Sequence, residues 1–257
     1  MSRIFITGSS DGLGLMAAQL LVEQGHSVVL HARNAERAEE TRRKLSQVEA
    51  VVKGDLSSIK QMHSVAEQVN KLGTFDAIIH NAAVGYREPK RIETVDGLAH
   101  VFAVNSLAPY VLTALIHTPR RLIYMSSELH KQGDPSLRDL NWEQREWKGE
   151  QAYSDSKLHN VLLAFAMARR HPKVLCNSVT PGWVQTKMGG SAANDDLDQA
   201  HRTQVWLAVS DAPHSQVSGQ YFYHLKAKEP LAAALNSSLQ DRFSAECEML
   251  TGISISA

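Results

Sequence analysis

At 257 residues, with 27 Lys plus Arg against 27 Asp plus Glu, the chain has the length of one large α/β domain and no net field to draw it to nucleic acid or an anionic membrane. Its two cysteines, Cys176 and Cys247, match no metal or redox spacing and suit a reducing cytosol, and its 12 histidines form no helical ligand pair, so no metal site is expected. No charged-then-apolar leader precedes the first strand, and the longest helical apolar run, Val161 to Ala168, is too short to cross a bilayer; the expectation is a cytoplasmic protein without membrane contact.

The first apolar run, Ile4 to Ile6, leads through Thr7–Gly14 (TGSSDGLG) into an amphipathic helix from Leu13 to Val22. Strand, glycine turn and helix in that order aim free backbone N–H groups and a helix N-terminus at an anion. Gly8 suits the positive φ of a tight turn, and Gly12 and Gly14 admit close approach of a pyrophosphate, which points to dinucleotide binding rather than an ordinary βα loop. The spacing is G-x3-G-x-G.

Ser27–His31 reads as a second buried strand, Asn34 opens a charged helix to about Gln47, and Ala50–Lys53 is a third strand followed by Gly54, Asp55 and Leu56. Ser57 or Ser58 caps a helix that ends near Lys71–Gly73. Phe75–His80 is strand four and runs into Asn81-Ala82-Ala83 at the carboxyl edge of the sheet, where ligands bind in open α/β folds. Ile92 to Ile116 reads as one helix that Pro109 kinks or restarts.

Arg121–Met125 is strand five, ending in Ser126 and Ser127, and a polar stretch from Glu128 to Glu150 carries Trp142 and Trp147. These two aromatics either wall an apolar cleft or pin a surface loop. Helix runs from near Ala152 to Arg170, strand six covers Lys173–Val179, and Thr180-Pro181-Gly182 breaks the chain. Residues 186–200 read as a flap that closes over substrate or as plain disorder, then helix to Ser210, a last strand at Gln220–Tyr223 and a terminal helix over 231–250. The whole is expected to be a single Rossmann-type α/β domain, 1–257, with a doubly wound parallel sheet of about seven strands and helices on both faces.

Tyr153-Ser-Asp-Ser-Lys157 places a phenol and an ammonium on one helix face. A nearby cation is one of the few groups able to pull a phenol below its usual pKa of about 10. Taken in order, TGSSDGLG, Asp55-Leu56, Asn81-Ala82-Ala83, Asn105, Ser126-Ser127, Tyr153 to Lys157 and Pro181-Gly182-Trp183-Val184-Gln185-Thr186 resemble the short-chain dehydrogenase/reductase family along essentially the whole chain. The long segment opening Ser-Ser-Glu-Leu-His and the tail with Gly219–Phe222 and Leu250-Thr251-Gly252 resemble its retinol-dehydrogenase-like branch.

That resemblance implies an oxidoreductase moving a hydride between a nicotinamide and a carbonyl or alcohol of a modest apolar molecule. Tyr153 would be general acid or base, Lys157 would lower its pKa and hold the nicotinamide ribose, Ser127 rather than Ser126 would bind the carbonyl, and Asn105 would hold a relay water behind Lys157. Gly8, Ser10, Asp11, Gly12, Leu13, Gly14, Leu56, Ala82, Pro181 and Gly182 would contact the cofactor, with Asp55 at the adenine, Asn81 steadying the central strand, and Val184 and Thr186 at the carboxamide. Strand two ends in His31-Ala32-Arg33-Asn34, without an acid for a ribose 2′-hydroxyl and with one arginine for a 2′-phosphate, so NADP(H) is favoured over NAD(H), with Asp11 as the complication. A non-catalytic dinucleotide sensor on the same fold and a sugar-nucleotide epimerase or dehydratase are the competing readings; intact Tyr153, Lys157, Ser127 and Asn105 weigh against the first, glycine spacing and the lack of a large C-terminal substrate domain against the second. The family's Asn-Ala-Gly stands here as Asn81-Ala82-Ala83, and the segment from Asn105 to Ser127 is short, so the family's usual tetramer is not assumed and a homo-oligomer is left open.

Overall fold

The computed structural model describes residues 1–255. Short runs that are apolar on both faces form a parallel sheet: β1 (Arg3–Ile6), β2 (Ser27–Ala32), β3 (Ala50–Lys53), β4 (Ala77–His80), β5 (Arg121–Met125), β6 (Leu175–Val179) and β7 (Tyr221–Tyr223), with antiparallel β8 (Lys226–Lys228) on the edge. The order β3-β2-β1-β4-β5-β6-β7-β8 reverses between β1 and β4, where β1 pairs with both β2 and β4, and that switch opens a crevice at the strands' carboxyl ends. Helices cover both faces because every central strand is buried on both. One face packs α3 (Ile59–Lys71), α5 (Ala108–Leu115), α6 (Gly149–Arg170) and α9 (Ser237–Thr251) around Phe5, Tyr124 and Leu162. The other packs α1 (Gly12–Glu23) and, after the short α7 (Leu197–Ala200), α8 (Arg202–Val209) around Ile6, Leu21 and Ile123.

Four expectations change. The helix read from Ile92 begins at His100 instead: Thr94–Leu98 turns back through Gly97 (φ 76°), Glu93 bridges Ala99, and α4 (His100–Phe102) passes through a π-helical turn, Ala103–Leu107, into α5 with Pro109 in its first turn. Proline fits there because those N–H groups have no helical partner. Ser58 stands at the start of α3 but its side chain makes no capping bond; Asp96, from the Gly97 turn, accepts from the Ile59 N–H at 2.7 Å instead. Finally, the sheet has eight strands, β8 following a two-residue turn at His224 and Leu225, both at positive φ. The second helix stops at Lys44 rather than near Gln47 (α2, Ala35–Lys44).

His31, His80 and His159 are buried and uncharged, desolvation holding His31 at about 4 and His80 and His159 at about 3. The unfolded chain takes up their protons near pH 6.5 while the folded chain does not, so these groups stabilise the fold at neutral pH and that stability is lost as pH falls from about 6.5 toward 4. Each contributes a slope of about 1.4 kcal/mol per pH unit. Urea midpoints measured between pH 7 and 4.5 should fall steeply, and less steeply in His159→Gln; a flat dependence contradicts buried neutral imidazoles.

Candidate active site

The glycine turn is tied to three strands. Asn81, just past β4, donates from Nδ2 to the carbonyls of Thr7 and Gly8 at 3.0 and 3.1 Å, and Thr7 Oγ1 accepts from the N–H groups of Asn81 and Ala82. His31 on β2 accepts from the Gly8 N–H at Nδ1 (3.0 Å), which leaves Nε2–H to donate to the Gly54 carbonyl after β3 (2.8 Å). Ser9 closes the set, donating to Ile6 O and accepting from His31 N. Gly8 sits at φ 60° with its backbone against Ala82: an added Cβ would lie 2.6 Å from the Ala82 Cα. Asp11 caps α1 by accepting from Gly12 N, so part of the N–H set expected to face an anion is already used.

Two clefts meet above the sheet. The first, about 950 Å³, runs over the glycine turn, Arg33, Asp55, Leu56 and Lys157. Every cofactor residue expected from the sequence lines it except Gly14, which packs beneath the turn against Asn81, and Gly182 and Val184, which line the second cleft. The second cleft, about 1030 Å³, is walled by Tyr86, Leu129, Trp183, Met188 and Tyr223, with Ser127 at its floor. Leu13, Ser126, Tyr153, Pro181, Thr186 and Met188 border both, so Tyr153 stands at the junction.

Tyr153 is 7% exposed, its ring edge-on to Tyr86 at 5.6 Å and its hydroxyl 3.8 Å from the Met188 sulfur. Lys157 Nζ lies 5.3 Å from the centre of the Tyr153 ring and donates to the Met125 carbonyl at 3.1 Å. The polypeptide alone does not produce the acidified phenol expected from a neighbouring cation. Burial raises the Tyr153 phenol above its ordinary value, only partly opposed by a hydrogen bond with Ser127, and burial drops Lys157 to about 7. Desolvation outweighs their mutual effect because both groups are enclosed.

Ser126 borders both clefts but its Oγ donates to the Lys157 carbonyl at 2.8 Å and anchors α6, while Ser127 lines the second cleft and hydrogen-bonds Tyr153. Asn105 lines neither cleft. Its Oδ1 accepts from Val84 N (2.8 Å) and its Nδ2 donates to Val84 O (3.0 Å) and Ser156 Oγ (3.1 Å), so the side chain clamps the segment after β4 onto α6 and has no donor left for a relay water. Trp142 and Trp147 line neither cleft: they pack edge to face at 5.3 Å, Arg145 stacks over Trp142, and Trp147 Nε1 donates to Glu88 O, so the pair pins a loop. The 186–200 segment is folded, with Val184 bridging Asp195 and the Trp183 indole donating to Gly189 O, and it sets Met188 over Tyr153.

The family model described as short chain dehydrogenase matches residues 2–133. An uncharacterized oxidoreductase of Emericella nidulans is 44% identical over 99% of both chains, and a short-chain dehydrogenase of Penicillium rubens is 42% identical over all of both. The chain belongs to the short-chain dehydrogenase/reductase family. Human retinol dehydrogenase 14 is 30% identical over 97% of this chain and 86% of its own, in keeping with the retinol-dehydrogenase-like branch. A solved structure from Mycobacterium paratuberculosis superposes with a TM-score of 0.85 at 26% identity, covering 100% of this chain and 96% of that one. This short-chain dehydrogenase is therefore an oxidoreductase on an NAD(P)-binding Rossmann fold. Among its described residues no helix is long and apolar enough to cross a membrane.

In this oxidoreductase two basic groups, not one, border the cleft beyond β2: Arg33 and Arg37, the latter in the first turn of α2, whose cap Asn34 accepts from Arg37 N at 2.9 Å. Arg37 was hidden in the sequence among the charges of an exposed helix; the Asn34 cap three residues earlier was the signal that oriented it. The Asp11 carboxylate pairs with Lys187 from the flap and with Arg37 at 3.5 Å, and is held below the usual carboxylate range chiefly by the Lys187 hydrogen bond.

Proposed function

We propose that the chain is an NADP(H)-dependent reductase of carbonyl groups, or dehydrogenase of the matching alcohols, on small and largely apolar molecules. The observation that carries this is Tyr153 at the junction of the two clefts, with Ser127 on one side and Lys157 on the other. The cofactor cleft fits a dinucleotide on its own terms: a side chain at Gly8 or Gly14 would strike its backbone cradle, and its far end carries two guanidiniums and a carboxylate already paired to cations. NADP(H), when bound, supplies or accepts the hydride.

The residues divide the remaining work. The Tyr153 hydroxyl gives its proton to the substrate oxygen in reduction and takes it back in oxidation. Ser127 donates a hydrogen bond to that oxygen, and the Lys157 ammonium favours the phenolate left behind. The apolar walls of the second cleft, with Tyr86, Trp183 and Met188, take the body of the substrate, and the 186–200 segment covers it. A cytoplasmic location belongs to the same reading and is supported by the two buried, unpaired cysteines.

Arg33 and Arg37 are proposed to pair with the 2′-phosphate. Arg33→Ala/Arg37→Ala should raise KM for NADPH by roughly 10- to 100-fold, in line with two charge-assisted contacts, and leave KM for NADH nearly unchanged. Initial rates with a panel of aldehydes and ketones, followed by nicotinamide absorbance, test both points. A wild-type preference for NADH overturns the cofactor assignment, and tight NADPH binding without turnover of any member favours a dinucleotide sensor.

A further inference from the structure

Lys157 is enclosed, yet its three N–H donors find one protein acceptor, the Met125 carbonyl. One helical turn further along α6, Asn160 is 3% exposed and donates from Nδ2 to the same carbonyl at 3.2 Å, while its Oδ1 is buried without any hydrogen-bond partner. The two buried side chains therefore share one carbonyl, and the second of them carries a buried, unused acceptor. Leaving that acceptor and the remaining lysine donors unsatisfied is costly, and the arrangement that relieves it is an ammonium–amide contact, direct or through one water.

We propose that Asn160 is the positioning residue of the catalytic lysine: its Nδ2 fixes the Met125 carbonyl that receives one ammonium hydrogen, and its Oδ1 receives a second. The Asn105 side chain is spent on Val84 and Ser156 and makes no hydrogen bond to the ammonium. The consequence is chemical. An acceptor aimed at the ammonium favours the charged lysine in an enclosed site, and only the charged lysine favours the Tyr153 phenolate. The titratable groups at this corner are Tyr153 on α6, whose ring centre is 5.3 Å from the ammonium, and Tyr86 packed edge-on against it; Lys157 makes no ion pair among the described residues.

The proposal rests on the catalytic reading of Tyr153 and Lys157, but its first test does not need turnover. The protein labelled with ¹³C-lysine is titrated by NMR, the Lys157 Cε signal being assigned by its loss in Lys157→Arg. Relative to wild type, Asn160→Leu should lower the Lys157 pKa by about one unit, tenfold in its acid constant, and Asn160→Asp should raise it. Asn160→Ser, which keeps a hydroxyl acceptor, should fall between wild type and Asn160→Leu and stands in if the leucine variant fails to fold. In NADPH-dependent reduction of 9,10-phenanthrenequinone, Asn160→Leu should lower kcat by about 10- to 100-fold, with KM for NADPH within about twofold and the pH profile of kcat displaced with the lysine. An unmoved Lys157 titration in the Leu, Ser and Asp variants overturns the proposal, as does a fall in kcat with an unshifted pH profile. Full activity in Tyr153→Phe would instead sink the catalytic reading itself, so the two failures are distinguishable.

Discussion

Tyr153→Phe is expected to cut carbonyl reduction by about a thousandfold or more in kcat while NADPH affinity stays within about twofold. The substitution keeps the ring, so the edge contact with Tyr86 at 5.6 Å and the lysine 5.3 Å from the ring centre both survive. It removes the one group at the junction of the clefts able to deliver a proton to a bound oxygen, together with the hydrogen bond to Ser127. Because the hydroxyl's other neighbour is a thioether sulfur at 3.8 Å, a weak acceptor, its loss leaves no strong buried group stranded and the fold should be as stable as wild type. Steady-state rates with NADPH, fluorescence titration of the cofactor and a thermal melt measure the three quantities. Residual kcat within tenfold of wild type would move the proton-delivery role to another residue.

Gly14→Ala should abolish measurable NADPH binding and weaken the fold. A methyl at this position would lie 2.5 Å from Asn81 Nδ2, 2.7 Å from the Gly8 carbonyl oxygen and 2.9 Å from the Ser9 Cα, and the last two are backbone atoms without freedom to swing aside. Two effects compete. Alanine in place of glycine inside a helix gains about 1 kcal/mol in propensity, whereas overpacking a rigid site costs about 1–3 kcal/mol. The steric effect wins, and it acts where it harms binding most, since pushing Asn81 away breaks its bonds to the Thr7 and Gly8 carbonyls and releases the turn from β4. Gly12→Ala is the control: its Cβ meets nothing within 4 Å, so only the cost of a positive φ remains, about 1–2 kcal/mol. Urea midpoints and NADPH titrations of the two variants should separate clearly; equal losses would show that turn conformation, not the contact with Asn81, matters.

Strands β1 to β7 and the long α6 were legible because each carries its signal within a few residues: an apolar run bounded by turn formers, or a helical period with a clear stop. The edge strand β8 carries no such signal. All three of its residues are exposed, and the turn before it uses His224 and Leu225 at positive φ where a hairpin would ordinarily advertise itself with glycine or asparagine. The turn before α4 was marked, by Asp96-Gly97, but apolar residues flank it in a spacing that also fits a helix, and only the bridge from Glu93 to Ala99 decides between them. Asp96 capping α3 from a distant turn is likewise invisible to any local window.

For the site, residue type and order along the chain were enough to name the family. Environment was not. The phenol and ammonium of Tyr153 and Lys157 were expected to pull each other's pKa, yet the side chains that enclose them come from β5, α6 and the flap, and the desolvation those elements impose outweighs the pair interaction. The same holds for the partners of the Asn105 side chain, and for Arg37, His31 and Asn160, which stand out only once three strands and a helix have been brought together. Alternation, helical period and the chemical inventory of the cleft are short-range properties of this chain and determined its architecture and reaction class. Which groups are hydrated, which carbonyl two side chains share and which charge is already paired depend on residues far apart in sequence, and those were decided by the tertiary structure alone.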